Sequence, residues 1–230
     1  VYDLVYDPET DFDAVYTRET ATALRRSLRS ADRVLELGCA TGLMTSLLAP
    51  HVAGILAIDH SAAYLARAAQ RGLVNARFRL GDLDAYVDED RYDHVLLTNV
   101  LHEVADPVAC LRRAAGLLRP HGVVHVSLQN PRSLHRLVAL ELGLIDDLCA
   151  ISDRGARYGT RSLWTAEEVV AMARSADLRC VHREGILLKP LPNAGMAALE
   201  PRLVEGFGLA AHHLPEHCSM NLFAFRRTDG

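Results

Sequence analysis

The stretch Val34-Leu35-Glu36-Leu37-Gly38-Cys39-Ala40-Thr41-Gly42 runs from a strand-like apolar pattern into a turn of small residues. A helical apolar pattern begins directly after it, at Leu43, Met44, Leu47 and Leu48. Strand, tight turn and helix in that order predict a cradle in which backbone N–H groups at the helix start face a ligand. Gly38 and Gly42 carry no Cβ and so allow the backbone to approach that ligand closely. Two glycines can equally serve tight packing between a strand and its helix. Glu36 inside the strand and Asp59 at the end of the next apolar run favour the ligand reading.

Outward from this stretch the pattern repeats. Strands are predicted over 33–37, 54–58, 76–80, 92–98 and 123–128, with helices over 42–49, 61–71 and 107–118. Ser61 is a plausible N-cap, and Asp106-Pro107 supplies a cap followed by a first-turn proline. Arg119-Pro120-His121-Gly122 reads as a turn. Apolar runs alternating with amphipathic helices predict parallel strands joined by right-handed crossovers. The rhythm breaks over 129–164, an insertion after the fifth strand with helical spacing (Leu134, Leu137, Val138, Leu142) and an arginine-dotted loop. Thr165-Ala166-Glu167-Glu168 is a capping-box signature for a helix over 166–176. A sixth strand over about 178–189, a helical segment over 193–214 and a last strand over 220–227 complete one domain, 1–230. Residues 1–30, with Tyr2, Tyr6 and Tyr16, read either as a tail and packing helix or as a lid over the site.

The chain has 230 residues and a formal net charge of −4, with no dense basic block. This argues against a general grip on nucleic-acid phosphates. Five scattered cysteines without a C-x-x-C spacing predict reduced thiols in a cytoplasmic protein, with neither disulfides nor a metal site. No basic-then-apolar leader pattern stands at Val1-Tyr2-Asp3-Leu4, and no apolar run approaches membrane-spanning length. Of the 25 Lys and Arg residues, only Lys189 is lysine.

The pattern E-x-G-x-A-x-G, followed by Ile58-Asp59 and Gly81-Asp82, resembles the S-adenosylmethionine (SAM) site of class I methyltransferases. Ala40 stands where a glycine is often found. The resemblance implies a Rossmann-like α/β fold: a seven-stranded, mostly parallel sheet with one antiparallel strand, helices on both faces and a helical cap after strand five. It implies SAM as cofactor and S-adenosyl-L-homocysteine as product. Glu36, Gly38, Cys39, Ala40 and Gly42 would meet the methionine end, and Asp59, with His60 beside it, the ribose. Asp59 lies 23 positions after Glu36, a spacing at which a carboxylate accepts from ribose hydroxyls in dinucleotide folds. Asp82 and Leu83 would meet the adenine, and Thr98 the methionine ammonium.

Methyl transfer needs alignment above all, and a base only where the nucleophile must lose a proton. The resemblance places His102 near the methyl group, as a base or as a partner of a neighbouring loop; related enzymes often read L-E-H-V where this chain reads Leu101-His102-Glu103-Val104. Tyr16 is the second catalytic candidate, from the lid. The expected substrate pocket draws on Tyr16, Arg132, His135, Arg157, Arg161, Lys189 and Asn193. Lys189, between Leu188 and Pro190, reads as partly buried and in need of either a protein carboxylate or a substrate anion. Its segment and Asn130–Arg136 look like those of small-molecule methyltransferases of carbohydrate and natural-product pathways, the O-methyltransferases of antibiotic biosynthesis being the member type that best fits a basic pocket. The expected reaction is O-methylation of a small anionic metabolite, a phosphonate, phosphate or carboxylate. N-methylation of an amine, with Asp7, Asp11, Asp13 and Glu103 receiving it, is the alternative. A nicotinamide oxidoreductase lacks its Tyr-x-x-x-Lys pair here, because Gly185 precedes Lys189 by four. A binding protein without catalysis and the oligomeric state, a homodimer included, stay open.

Overall fold

The two-residue repeat of the strands sorts their apolar side chains onto two faces. In the computed structural model, whose described residues are 9 and 11–228, the strands are β1 (Arg33–Leu37), β2 (Gly54–Asp59), β3 (Ala76–Leu80), β4 (Tyr92–Thr98), β5 (Leu118–Gln129), β6 (Leu178–Leu188) and β7 (Cys218–Arg227). They form one sheet in the order β3-β2-β1-β4-β5-β7-β6. Pairing is parallel from β3 through β5, and β7 runs antiparallel to both β5 and β6. Tyr2 and Tyr6 of the expected lid lie outside the described residues, as does Asp7.

Helices α1 (Asp13–Arg25), α2 (Leu43–Leu48), α3 (Ala62–Ala69), α4 (Pro107–Gly116) and α7 (Ala166–Ser175) cover the sheet. One apolar cluster joins Leu35, Leu37, Val95, Leu97, Val124 and Val126 to Leu111 of α4 and Val169 of α7. The other joins Val34, Leu96, Ile55 and Ala57 to Leu24 of α1 and to Met44 and Leu48 of α2. Central strands sealed on both faces read as continuous apolar runs, and a leucine buried like Leu35 contributes about 1.5–3 kcal/mol. The local signals hold. Ser61 accepts from the Tyr64 N–H at 3.1 Å, Asp106 from the Ala109 N–H at 2.9 Å, and Thr165 with Glu168 closes a capping box.

The turn expected at 119–122 lies inside β5. Tyr92 pairs with Leu118 and His94 with Val123, so residues 119–122 bulge out opposite Asp93 and the ladder then resumes. His121 absorbs the excursion at φ +64°. The expected turn and the strand start at 123 are thus corrected: pairing on both sides keeps the Pro-His-Gly segment in the strand as a bulge.

The insertion after β5 holds α5 (Leu134–Glu141) and α6 (Asp153–Arg157). Between β6 and β7 stand α8 (Asn193–Ala197) and α9 (Pro201–Leu209). No helix among the described residues is long and apolar enough to cross a membrane.

Candidate functional site

At the carboxyl ends of β1 and β2 the turn 38–42 takes three left-handed residues, Gly38 at φ +82°, Ala40 at +44° and Gly42 at +75°. A Cβ on Gly38 would stand 2.3 Å from Val100 Cγ1, so only glycine fits there. Four of the five N–H groups of the turn are not the free donors expected from the sequence. Those of Gly38 and Cys39 donate to the Ile58 carbonyl at 2.8 and 3.0 Å, and that of Gly42 to the Cys39 carbonyl at 2.8 Å. The Ala40 N–H donates to Asp59 Oδ2 at 2.8 Å, and the Ser61 N–H to Asp59 Oδ1 at 2.9 Å. The end of β2 therefore braces the turn from behind, and each Asp59 oxygen keeps a further lone pair for a ligand.

Beside this turn opens a cavity of about 230 Å³, at the point where the strand order reverses between β1 and β4. Its lining includes the residues assigned to the cofactor from sequence: Glu36, Gly38, Cys39, Ala40, Asp59, His60, Asp82, Leu83 and Thr98. Gly42 stands just behind, where a Cβ would press on Ala68 at 3.0 Å. Glu36 is sealed beneath the turn and accepts the Thr45 hydroxyl at 2.6 Å; burial pushes its carboxyl up to about 7. Asp82 accepts the Asp84 N–H at 2.9 Å and stays exposed at the rim.

Asn99, at φ +57° just past β4, turns a side-chain oxygen into the wall. That Oδ1 is buried and has no hydrogen-bond partner. A buried acceptor left unpaired costs free energy, and a cationic ammonium would satisfy it. The acidic lining, Asp13, Glu36, Asp59, Asp82, Asp84 and Glu103, suits the same charge. Glycine cradle, orphan acceptor and carboxylates thus fit a cationic, amino-acid-bearing nucleotide such as SAM.

The substrate candidates divide. Tyr16 on α1 lines the cavity, and behind it Lys189 is 4% exposed. Lys189 Nζ donates to the Tyr16 phenol oxygen at 2.9 Å and to Asn193 Oδ1 at 2.7 Å. The Tyr16 hydroxyl donates to the same Asn193 oxygen at 2.9 Å. Burial pulls Lys189 down to about 8, and burial likewise raises the Tyr16 phenol. The nearest carboxylate, Asp13, accepts the Asn193 amide at 3.2 Å and pairs with Arg154 at 2.9 Å. The first turn of α1, part of the expected lid, is thus tied to α6 and α8, while Ala21 and Leu24 of its last turns are sealed in the core.

Arg132, Arg157 and Arg161 are exposed and do not line the cavity, contrary to expectation. Arginine composition alone gives no facing. His135 does not line the cavity; its backbone N–H donates to the Lys189 carbonyl at 3.2 Å, and its buried Nδ1 is unpartnered. His102 does not reach the cavity either. Its ring is sealed, Nδ1 has no partner, and burial lowers it to about 4. Glu103, the next residue, lines the cavity instead, and burial followed by repulsion from Asp59 raises its carboxyl to about 7. The sequence had offered Glu103 only as a receiver of amines, and it had given Asn99 no side-chain role.

Residues 10–183 match the family described as Methyltransferase domain. The ubiquinone biosynthesis O-methyltransferase of Bordetella bronchiseptica is 29% identical over 203 residues, spanning 81% of this chain and 80% of that protein. The trans-aconitate 2-methyltransferase of Variovorax paradoxus is 34% identical over 128 residues, 53% of this chain and 49% of that one. Among solved structures, the N-methyltransferase NodS of Bradyrhizobium japonicum in complex with S-adenosyl-L-homocysteine superposes with a TM-score of 0.58 at 20% identity, over 92% of this chain and 87% of that one.

Proposed function

The chain belongs to the methyltransferase domain family, and from that premise we propose SAM-dependent methylation of an oxygen on a small anionic metabolite. The observation that carries the anion is Lys189. Its ammonium is buried, its described partners are the neutral oxygens of Tyr16 and Asn193, and it forms no ion pair among the described residues. A buried charge without a contacting counter-ion is costly, since Asp13 acts on it only from a distance and is itself paired with Arg154; a substrate carboxylate or phosphate reached past Tyr16 would offset that cost. Trans-aconitate, in the name of one relative, is itself a carboxylate.

Bound SAM supplies an electrophilic methyl group on a sulfonium. The remaining work falls to this chain's residues. Asp59 would hold the ribose and the turn 38–42 the methionine end, where Asn99 Oδ1 would accept from the ammonium. Tyr16 and Lys189 hold the acceptor's anionic group on the α1 side. A cavity walled by carboxylates repels an anionic nucleophile, so the methylated oxygen is a hydroxyl. Glu103, with its carboxyl near 7, accepts that proton.

Glu103 also favours a second reading, since a cavity-facing carboxylate would equally receive a protonated amine. Incubation with methyl-tritiated SAM and matched hydroxy acids, simple carboxylates and amines separates the two. Label in a base-stable ether of a hydroxy acid is the expected result. Base-labile label would indicate carboxyl esters, and label confined to amines would overturn O-methylation.

A further inference from the structure

A second cavity, of about 590 Å³, opens at the opposite end of the sheet. It sits where β1, β4 and β5 begin and β7 ends, and α1 borders both cavities, Tyr16 facing one and Leu24 the other. Its volume falls in the range of small-molecule sites.

Three polar residues, half-buried Asp32 and the buried His94 and His125, run in line into it. The Asp32 carboxylate lies 3.0 Å from His94 Nε2, and His94 Nδ1 lies 3.0 Å from His125 Nε2. The carboxylate can only accept, so His94 carries its proton on Nε2 and presents a bare Nδ1. His125 must then donate from Nε2, which leaves its own Nδ1 as a lone-pair acceptor. That atom has no hydrogen-bond partner among the described residues, and it is not among the sealed unpaired atoms. His125 is 3% exposed and lines the cavity. The chain of bonds fixes the tautomer, and burial with the neighbouring His94 lowers His125 to about 3, so the acceptor persists at neutral pH. Three converging metal ligands are absent among the described residues.

The rim adds charge. Glu184 is paired with Arg26, and Asp93 accepts from Arg119 at 2.8 Å. Asp32 is taken by His94 and by the Arg29 N–H at 2.7 Å. Arg29 and Arg226 line the cavity and form no ion pair among the described residues; with neutral His94 leaving only the Asp32 carboxylate against them, the balance there is positive. Leu24, Val123, Leu222 and Ala224 supply apolar wall.

We propose that this cavity is a second binding site, separate from the methyl-transfer site, for a small molecule with an apolar body, an anionic group and one N–H or O–H donor. The donor meets His125 Nδ1 and the anion meets Arg29 and Arg226.

Indole-3-acetate carries all three features and serves as the probe, with 1-methylindole-3-acetate lacking the donor and indole lacking the anion. Calorimetric titration of the full chain should show saturable binding of indole-3-acetate, weakened about tenfold by either deletion. The His125 imidazole nitrogen resonances should shift on binding. His125→Phe should abolish the preference for indole-3-acetate over its N-methyl analogue, and saturating S-adenosyl-L-homocysteine should not displace the probe. Should His125→Phe fail to fold, Ala224→Leu, which fills the cavity from β7, should weaken the probe by the same factor. No saturable binding, equal affinity for the two acetates, or displacement by S-adenosyl-L-homocysteine would overturn the proposal.

Discussion

The Lys189 ammonium lies 2.9 Å from the Tyr16 phenol oxygen, 173 residues away in the chain, and no described carboxylate pairs with it. Breaking a buried ion pair costs about 3–5 kcal/mol because it strands a charge. Lys189→Met strands none here, so its melting temperature at pH 7 should equal or exceed that of the parent. The Michaelis constant for an anionic acceptor should rise at least about tenfold, with SAM affinity unchanged. Lys189→Arg should do nearly the same damage, since a planar guanidinium does not replace a compact ammonium between Tyr16 and Asn193. A large fall in melting temperature for Lys189→Met would reveal a carboxylate partner and remove the case for an anionic substrate.

The same lysine gives a pH signature. Its folded value of about 8 lies below the roughly 10.4 of a free lysine. Between those values the unfolded chain binds the extra proton, so stability should climb as pH rises from 8 toward 10.4. Denaturant midpoints across that window should show a climb that Lys189→Met lacks.

Asp59 holds two backbone N–H groups, and its removal should act on both the turn and the cofactor. Asp59→Ala is expected to lower SAM affinity roughly ten- to a hundredfold and to cost about 1–3 kcal/mol of stability in the free protein. Stability unchanged would mean that the Ala40 and Ser61 contacts contribute nothing. Affinity unchanged would reject the ribose placement.

Strand positions, helix caps and the cofactor turn were legible because each rests on residues within a few positions of one another. Ser61, Asp106 and Thr165 cap their helices by local chemistry alone. What the turn does with the N–H groups of Gly38, Cys39 and Ala40 was not legible, because their acceptors sit on β2, about twenty residues on. Lys189 stood out as the lone lysine, with Asn193 only four residues on, but its hydrogen bond to Tyr16 of α1 reaches 173 residues away and is made by the fold alone. The exchange of His102 for Glu103 turns on one residue's phase after Asn99, whose positive φ no periodicity foretells.

Ala40 at φ +44° is a side chain in a region that favours glycine. Ala40→Gly should remove strain of about 1–2 kcal/mol and return part of it as unfolded-chain entropy, leaving a net gain of up to about 1 kcal/mol with activity retained. Gly38→Ala should do the reverse: its Cβ would meet Val100 at 2.3 Å, displacing the cavity wall and weakening SAM by about a hundredfold or more. Comparing denaturation midpoints of the two variants checks the turn without reference to substrate.

The adjacent pair His102 and Glu103 tests the chemistry most directly. Glu103 faces the cavity with a carboxyl near 7, whereas His102 is sealed and stays neutral down to about 4. If Glu103 accepts the hydroxyl proton, activity should rise with pH through about 7, and Glu103→Gln should lower turnover about a hundredfold and flatten that limb. His102→Phe should keep most of the turnover. It should also resist acid better: between the ordinary histidine value near 6.5 and about 4, the unfolded chain binds a proton that the folded His102 refuses, so the parent loses stability as pH falls through that window and the variant loses less. Rate–pH profiles of the three proteins, with melting temperatures at pH 5 and 7.5, separate the roles. A Glu103→Gln enzyme with parental turnover and an unchanged rising limb would take the base away from Glu103 and, with it, the hydroxyl as the methylated group.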